Sequence, residues 1–402
     1  MPVLSQVWLM PRHAGMKPLK KVIILGGGYA GVNAALRLRL RNKDVEITLV
    51  NDRSDFIERI RNHELAAGRS ARQLPLSEVL GEDIRFVLGR VQKIDIVTRQ
   101  VLIDGKTCAY DMLIYALGSG ALSRNAQHLH TINSREGAER FHADLLSRKD
   151  HGVTILGSGL TGIELATELR ERFPDRKITL MDRRQPGSHL GIKAQNYLNS
   201  TLSDMRIGFE ILTVDPLTNS GFVSDTEKEM NLVVNCMGFQ SPDLARKSGL
   251  RCDDKNRVFV NSHLQAEGHP EILVAGDAAV YGFGSQQITY AGCATAMPMG
   301  TYAGETAARF LAGENPTEFR YGFTFQCISL GRKKGIIQFL DKRTGAATGA
   351  VLTGKTAAAF KELICRLTVL LPKLERKTRL PFYTWRKTRI MKRIGSLASK
   401  AA

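Results

Sequence analysis

Gly26, Gly28 and Gly31 close the segment VIILGGGYAG, and Gly157, Gly159 and Gly162 close VTILGSGLTG, so one glycine spacing occurs twice. G-x-G-x-x-G after a short β-branched run is a turn suited to a pyrophosphate. The first glycine permits the turn, the second lets the backbone approach the phosphates, and the third lets helix lie close on strand. Tyr29 and Ala30 fill the first turn between its second and third glycines. Each copy runs on into a helix-forming stretch, VNAALRLRLR or IELATELRERF. The N-terminus of such a helix offers free N–H groups and partial positive charge to a phosphate. The register continues: ITLV before Asn51 answers ITLM before Asp182. Asp182 suits a ribose 2′-hydroxyl and repels a 2′-phosphate, which favours NADH over NADPH; Arg183 and Arg184 beside it would attract that phosphate. In the first copy Asn51 stands where a carboxylate is usual and Asp52 follows. An amide still hydrogen-bonds a ribose. The pattern implies two dinucleotide-binding sites in one chain.

Strand, glycine turn, helix and second strand make a βαβ unit, and two such units in register predict an α/β fold with two Rossmann-like dinucleotide-binding domains. The composition agrees: 402 residues, 43% hydrophobic, with 37 glycines and 13 prolines. The six cysteines form no C-x-x-C and no metal-ligand spacing, so no metal site is expected and the thiols read as reduced and cytosolic. The apolar run near the N-terminus is too interrupted for a signal peptide, and no run is long enough to span a membrane. Net charge is +18, concentrated at the end, where residues 361–402 hold twelve Lys and Arg against Glu362 and Glu375. That predicts an anionic partner or a solvated end. No nucleic-acid-reading motif accompanies the charge, so nucleic acid is not expected.

Four further segments carry a resemblance. VLGRVQKID holds Val91, YDMLIYALGS holds Gly118, NLVVNCMGFQSP holds Gly238, and EILVAGDAA holds Asp277. With the two glycine turns they resemble the FAD- and NAD(P)H-dependent pyridine-nucleotide oxidoreductases, most of all the type II NADH dehydrogenases (NADH:quinone oxidoreductases) and the apoptosis-inducing-factor-like reductases. The resemblance implies FAD at Gly26, Gly28, Tyr29, Ala30, Gly31, Asn51, Asp52, Val91, Gly118 and Asp277. It implies NAD(P)H at Gly157, Gly159, Gly162, Asp182 and Gly238. It also implies a domain order: an N-terminal extension 1–19, a split FAD domain 20–120 and 246–312, an inserted NAD(P)H domain 121–245, and a C-terminal α+β module 313–402.

Glu164 extends the second turn to G-x-G-x-x-G-x-E; the family places this carboxylate near the flavin–nicotinamide contact, and pairing with the helix dipole is the alternative. The family brings FIERIRNHELAAG past the flavin ring. Disulfide reductases place a reactive cysteine there, but this chain has Arg59, Arg61 and His63. At least one of these, with Arg59 the first candidate, is expected to stabilise the reduced flavin's charge. The quinone-pocket pattern A-Q-x-A-x-Q-x-G is met by CATAMPMG, which keeps Ala296 and Gly300 but has Ala294 and Pro298 at the glutamine positions.

Phe360, Leu363, Ile364, Leu367, Leu370, Leu371 and Leu374 recur at helical spacing, with Lys361, Arg366, Lys373, Arg376 and Lys377 largely off the stripe and Pro372 expected to kink or end the helix. Two readings stand for 357–402: a helix on an anionic membrane surface, or one packed on the FAD domain or a second subunit in a homodimer. The expected activity is hydride transfer from NADH to flavin and on to a quinone-like or aromatic small-molecule acceptor, in the cytoplasm or peripherally on the inner face of the cell membrane. A soluble flavin reductase or an NADH-sensing flavoprotein is the alternative. The string GAVLTGKT matches a nucleotide phosphate loop, but the strand expected at Ala350–Leu352 falls inside the motif, so it reads as a strand-to-helix turn.

Overall fold

The computed structural model describes residues 19–70, 72–120, 129–213, 231–283, 286–287, 292–341 and 344–383. The N-terminal extension up to residue 18 and the tail 384–402 lie outside the described residues.

Each repeat builds a parallel sheet. The first has the order Gln265–Ala266, His269–Val274, Met112–Tyr115, Lys20–Leu25, Val45–Asn51, Arg85–Leu88; only its first pair is antiparallel. The second, Gly208–Ile211, Ile178–Asp182, Gly152–Leu156, Asn231–Asn235, His130–Thr131, is parallel throughout. The fold is mixed α/β, as expected. The strand before each glycine turn has neighbours on both sides, so the chain crosses over in opposite directions from it and a crevice opens at its carboxyl end. Val22, Ile23, Ile24 and Leu25 are all buried, which explains an unbroken apolar run in place of alternation.

The helices around the crevice are α1 (Tyr29–Arg41), α2 (Asn62–Ala66), α3 (Arg135–Ser147), α4 (Leu160–Arg172), α5 (Cys293–Leu311) and α6 (Gly354–Thr378). Helix α1 is buried over most of its length because α5 covers it. Their backbones touch at two glycines: a Cβ on Gly300 would lie 2.1 Å from the Ala30 carbonyl oxygen, and one on Gly304 2.4 Å from that of Ala34. Arg37 is enclosed in this contact, ion-paired to Glu305 at 2.5 Å and to Glu375 of α6 at 2.6 Å. Pro298 lies inside α5 and has no N–H for the Ala294 carbonyl; the Tyr321 hydroxyl donates to that carbonyl instead.

The C-terminal module is an antiparallel sheet of Phe325–Leu330, Lys334–Leu340 and Ala347–Thr353, followed by α6. Ile328, Leu330 and Ile336 join the core of the second sheet, while Val369 joins that of the first. Gly349 is in the middle of the last strand, and Gly354, at φ +73°, turns it into α6. A phosphate loop has no place there.

Two expectations for this helix are corrected. Pro372 does not end it, since α6 runs on to Thr378. The buried face is not the leucine stripe: Ala357, Lys361, Cys365, Thr368, Val369, Pro372 and Glu375 face inward, whereas Leu363 and Leu370 are more than half exposed. Inward polar groups are tolerated because they meet charged partners and a cavity.

Candidate nucleotide-binding and redox site

One cavity of about 2020 Å³ opens between the two sheets and the C-terminal module. Ordinary small-molecule pockets hold about 300–1,000 Å³, so this one has room for two dinucleotides. Both glycine turns open onto it and have the same geometry. Gly26 and Gly157 adopt φ +104° and +101°, and a Cβ on Gly31 or Gly162 would lie 1.8 or 1.9 Å from the carbonyl oxygen of Gly26 or Gly157. Gly28 and Gly159 line the cavity, and a Cβ there would meet nothing within 4 Å. Thus the outer glycines close the turn while the middle one leaves its backbone open to a phosphate.

Asn51 and Asp182 are equivalent, and their first partner is the turn itself. Asn51 Oδ1 accepts from Gly27 N at 2.8 Å, while Asp182 Oδ2 accepts from Ser158 N at 2.6 Å and from the Ser158 hydroxyl at 3.0 Å. The Asn51 amide also donates to the Arg53 carbonyl at 2.9 Å. The amide therefore does what the carboxylate does for the turn. Asp52, exposed, lines the cavity beside it. Tyr29, Ala30, Val91, Gly118 and Gly238 also line the cavity. Gly31, Gly157, Gly162 and Asp182 stand behind its wall, within the turns.

Asp277 ties the wall together. Its Oδ2 accepts from the Ser119 hydroxyl at 2.8 Å and its Oδ1 from Gly292 N at 2.9 Å, at the entry to α5. Thr295 Oγ1, in the first turn of α5, is buried against the cavity with no partner among the described residues. An unpartnered buried hydroxyl, two open glycine backbones and three helix N-termini fit a polar, phosphate-bearing ligand.

The three cationic candidates separate. Arg59 lines the cavity near Gly118, and no ion pair engages it among the described residues. Arg61 points away, into Glu58, Glu64 and Glu362. His63 is buried and lines the cavity.

Glu164 is also buried, and its partner comes from α6. Lys361 Nζ donates to Glu164 Oε1, which accepts from Ser329 N at 3.0 Å as well. Burial pulls the Lys361 ammonium down to about 8. The sequence placed Lys361 on an outer basic face; only the fold brings it to the cavity. Cys293, Cys327 and Cys365 line the same cavity as free thiols. Burial pushes Cys293 and Cys327 up to about 12, so both remain protonated, and neither offers a nucleophilic thiolate.

A type II NADH:quinone oxidoreductase of Staphylococcus haemolyticus is 26% identical over 388 residues, covering 86% of this chain and 94% of that protein. An NADH dehydrogenase-like protein of Mycobacterium tuberculosis is 28% identical over 322 residues, covering 71% and 79%. Among solved structures, the sulfide:quinone oxidoreductase of Aquifex aeolicus superposes with TM-score 0.74 at 18% identity, over 93% of this chain and 98% of that one. NDH2 from Plasmodium falciparum in complex with NADH superposes with TM-score 0.71 at 13% identity, over 90% and 98%. The family model described as pyridine nucleotide-disulphide oxidoreductase matches residues 20–300. The chain therefore belongs to the pyridine nucleotide-disulphide oxidoreductase family and is one of its flavin- and NADH-dependent oxidoreductases.

Proposed function

We propose that this protein takes hydride equivalents from NADH and delivers them to a quinone-type acceptor, with FAD held by 20–120 and 246–312 and NADH by 121–245. The observation that carries the reading is the pair of matching glycine turns opening on one cavity whose wall also holds Glu164 and Lys361. FAD, when bound, supplies the redox centre between a two-electron donor and the acceptor. Gly28 and Gly159 offer backbone N–H groups to the two pyrophosphates. Asp277 fixes the entry to α5. Glu164 and Lys361 hold a proton at the wall, where an acceptor that gains electrons also needs protons.

Arg59 supplies a cation for charge that develops in the cavity. Loss of one preorganised charge-stabilising group costs about 10²–10³ in rate where it is buried. Arg59 is only partly buried, so Arg59→Ala is expected to slow flavin reduction by NADH about tenfold and make the flavin potential more negative. Stopped-flow absorbance and potentiometry check both; unchanged values remove the role from Arg59.

Tyr321, Phe323, Tyr383, Ile364, Leu367 and Leu371 give the acceptor end an apolar, aromatic wall. Outside it, Leu363, Leu370, Leu380 and Phe382 are exposed beside Arg366, Arg376, Lys377 and Arg379. This arrangement suits an anionic membrane that contains a lipid-soluble acceptor. No helix among the described residues is long and apolar enough to cross a membrane. Ala294 and Pro298 supply no side-chain amide, so the acceptor is held mainly by apolar contact.

The test is anaerobic bleaching of the purified yellow protein by NADH, then reoxidation by a panel of quinones with and without anionic vesicles. Rapid reoxidation by quinones, with co-sedimentation on the vesicles, is expected. Reoxidation only by water-soluble redox proteins or metabolites would replace the quinone reading with that of a soluble reductase.

A further inference from the structure

His63 stands where the segment after the first βαβ unit meets the second sheet's helices. Asn62 pins α2 there by donating to the Ile132 carbonyl at 2.8 Å, and α2 packs on α3 and α4. The His63 ring is 4% exposed, and it lines the cavity. Its Nδ1 is 3.7 Å from Glu164 Oε2, and its Nε2 is buried with no partner among the described residues. A distance of 3.7 Å is too long for a hydrogen bond, but the carboxylate's field favours the tautomer with its proton on Nδ1. Nε2 is then a bare acceptor.

The neighbouring donors are committed elsewhere. Lys361 donates to Glu164, Arg61 to Glu64 and Glu362, Arg69 to Glu168, and Arg332 to Glu64 and Glu362. Burial, followed by the positive charges of Lys361, Arg332, Arg61 and Arg69, pushes the His63 pKa well below the usual histidine value, so the ring stays neutral. The missing partner must therefore be a hydrogen-bond donor, N–H or O–H. A quinone carbonyl offers only acceptors and does not complement it. Phosphates and ribose hydroxyls are drawn to the glycine turns. The matching group is an amide-type N–H on the ring end of a nucleotide: the imide of the flavin or the carboxamide of nicotinamide.

We infer that His63 Nε2 accepts a hydrogen bond from that amide-type N–H and so reads the ring end of a bound nucleotide. The inference rests on the two-nucleotide reading above. It assigns His63 a recognition role, with no proton transfer.

The full chain, labelled with ¹⁵N-histidine, tests this by NMR in the flavin-free form, the FAD-loaded form and the FAD-loaded form with NAD⁺. His63→Gln identifies the resonance. The expected result is the Nδ1–H tautomer, with the Nε2 signal moving upfield on ligand addition. A move with FAD alone names the flavin imide, and a move only after NAD⁺ names the carboxamide. His63→Leu should weaken that same ligand about tenfold, and His63→Gln, which keeps a polar atom near Nε2, should restore most of the affinity. An Nε2 signal that stays put while flavin absorbance and NADH bleaching report both ligands bound overturns the inference and leaves the two-nucleotide reading intact. A chain that takes up no flavin ends both. Should His63→Leu not fold, the wild-type spectra still decide.

Discussion

Gly31→Val protein is expected to purify without flavin, whereas Gly162→Val protein is expected to be yellow but unresponsive to NADH. Both substitutions place a Cβ within 2 Å of a carbonyl oxygen, 1.8 Å in the first turn and 1.9 Å in the second, so the turn must open. In the first turn nothing can yield. Helix α1 cannot slide outward, because Gly300 and Gly304 of α5 already touch its backbone. Gly26, on the other side, adopts φ +104°, and a Cβ on it would lie 2.3 Å from the Ala116 carbonyl oxygen, so that side is closed as well. The turn in the second sheet is equally tight, but damage there leaves the FAD-side strands untouched. The measurements are flavin absorbance after purification, bleaching by NADH and bleaching by dithionite. Gly162→Val should retain flavin colour and dithionite bleaching and lose bleaching by NADH at any practical concentration. If both variants behave alike, the assignment of one turn to each nucleotide fails.

Lys361→Met is the second large expected effect, on stability and on pH dependence together. The substitution leaves the Glu164 carboxylate buried with the Ser329 N–H and no cation in direct contact. Removing one partner of a buried pair costs about 3–5 kcal/mol. Adding Glu164→Gln removes the orphaned charge, so the double variant should recover about 1–3 kcal/mol of that loss, measured by urea unfolding.

The pH argument has two opposite signs. Lys361 titrates near 8 in the folded chain, because burial disfavours its charge; in the unfolded chain it titrates near about 10.4. Between these values the unfolded chain binds more protons, so the contribution of Lys361 makes the protein more stable as pH rises from 8 toward 10.4. Acceptor reduction that draws on the Lys361 proton falls over the rise through pH 8. Activity and stability should therefore diverge in wild type, and Lys361→Met should flatten both trends in that window. Parallel loss of activity and stability in wild type would deny Lys361 its place in proton supply.

The glycine turns were legible because their constraint is local: a turn, an open backbone and a helix start all lie within ten residues, and the repeat supplies an internal control. The place of Asp277 beside the cavity was legible from the strand that precedes it. What Asn51 does was not, because its partner Gly27 follows the neighbouring strand, 24 positions away, and is a backbone N–H, which leaves no trace in residue type. Arg59, Arg61 and His63 could not be told apart, since the carboxylates that engage Arg61 include one on α6. For α6 the apolar stripe left two readings open. Apolar spacing predicts which face is buried only where the neighbour is an apolar core. This helix borders a cavity and ion-pair partners, so Lys361 and Glu375 turn inward and leucines remain outside. In CATAMPMG, Gly300 is required by the crossing with α1, so its presence says nothing about the acceptor.

The contact between Glu164 and Lys361 joins residues 197 positions apart. A ribosome adding about 5–20 residues per second needs about 10–40 s to cover that interval. During it the nascent chain has both glycine turns but neither its cationic partner for Glu164 nor the last wall of its cavity. The partner of Glu164 thus arrives late in synthesis, when α6 docks, and a chain stalled short of that helix carries both glycine turns without the cation that pairs with the buried carboxylate.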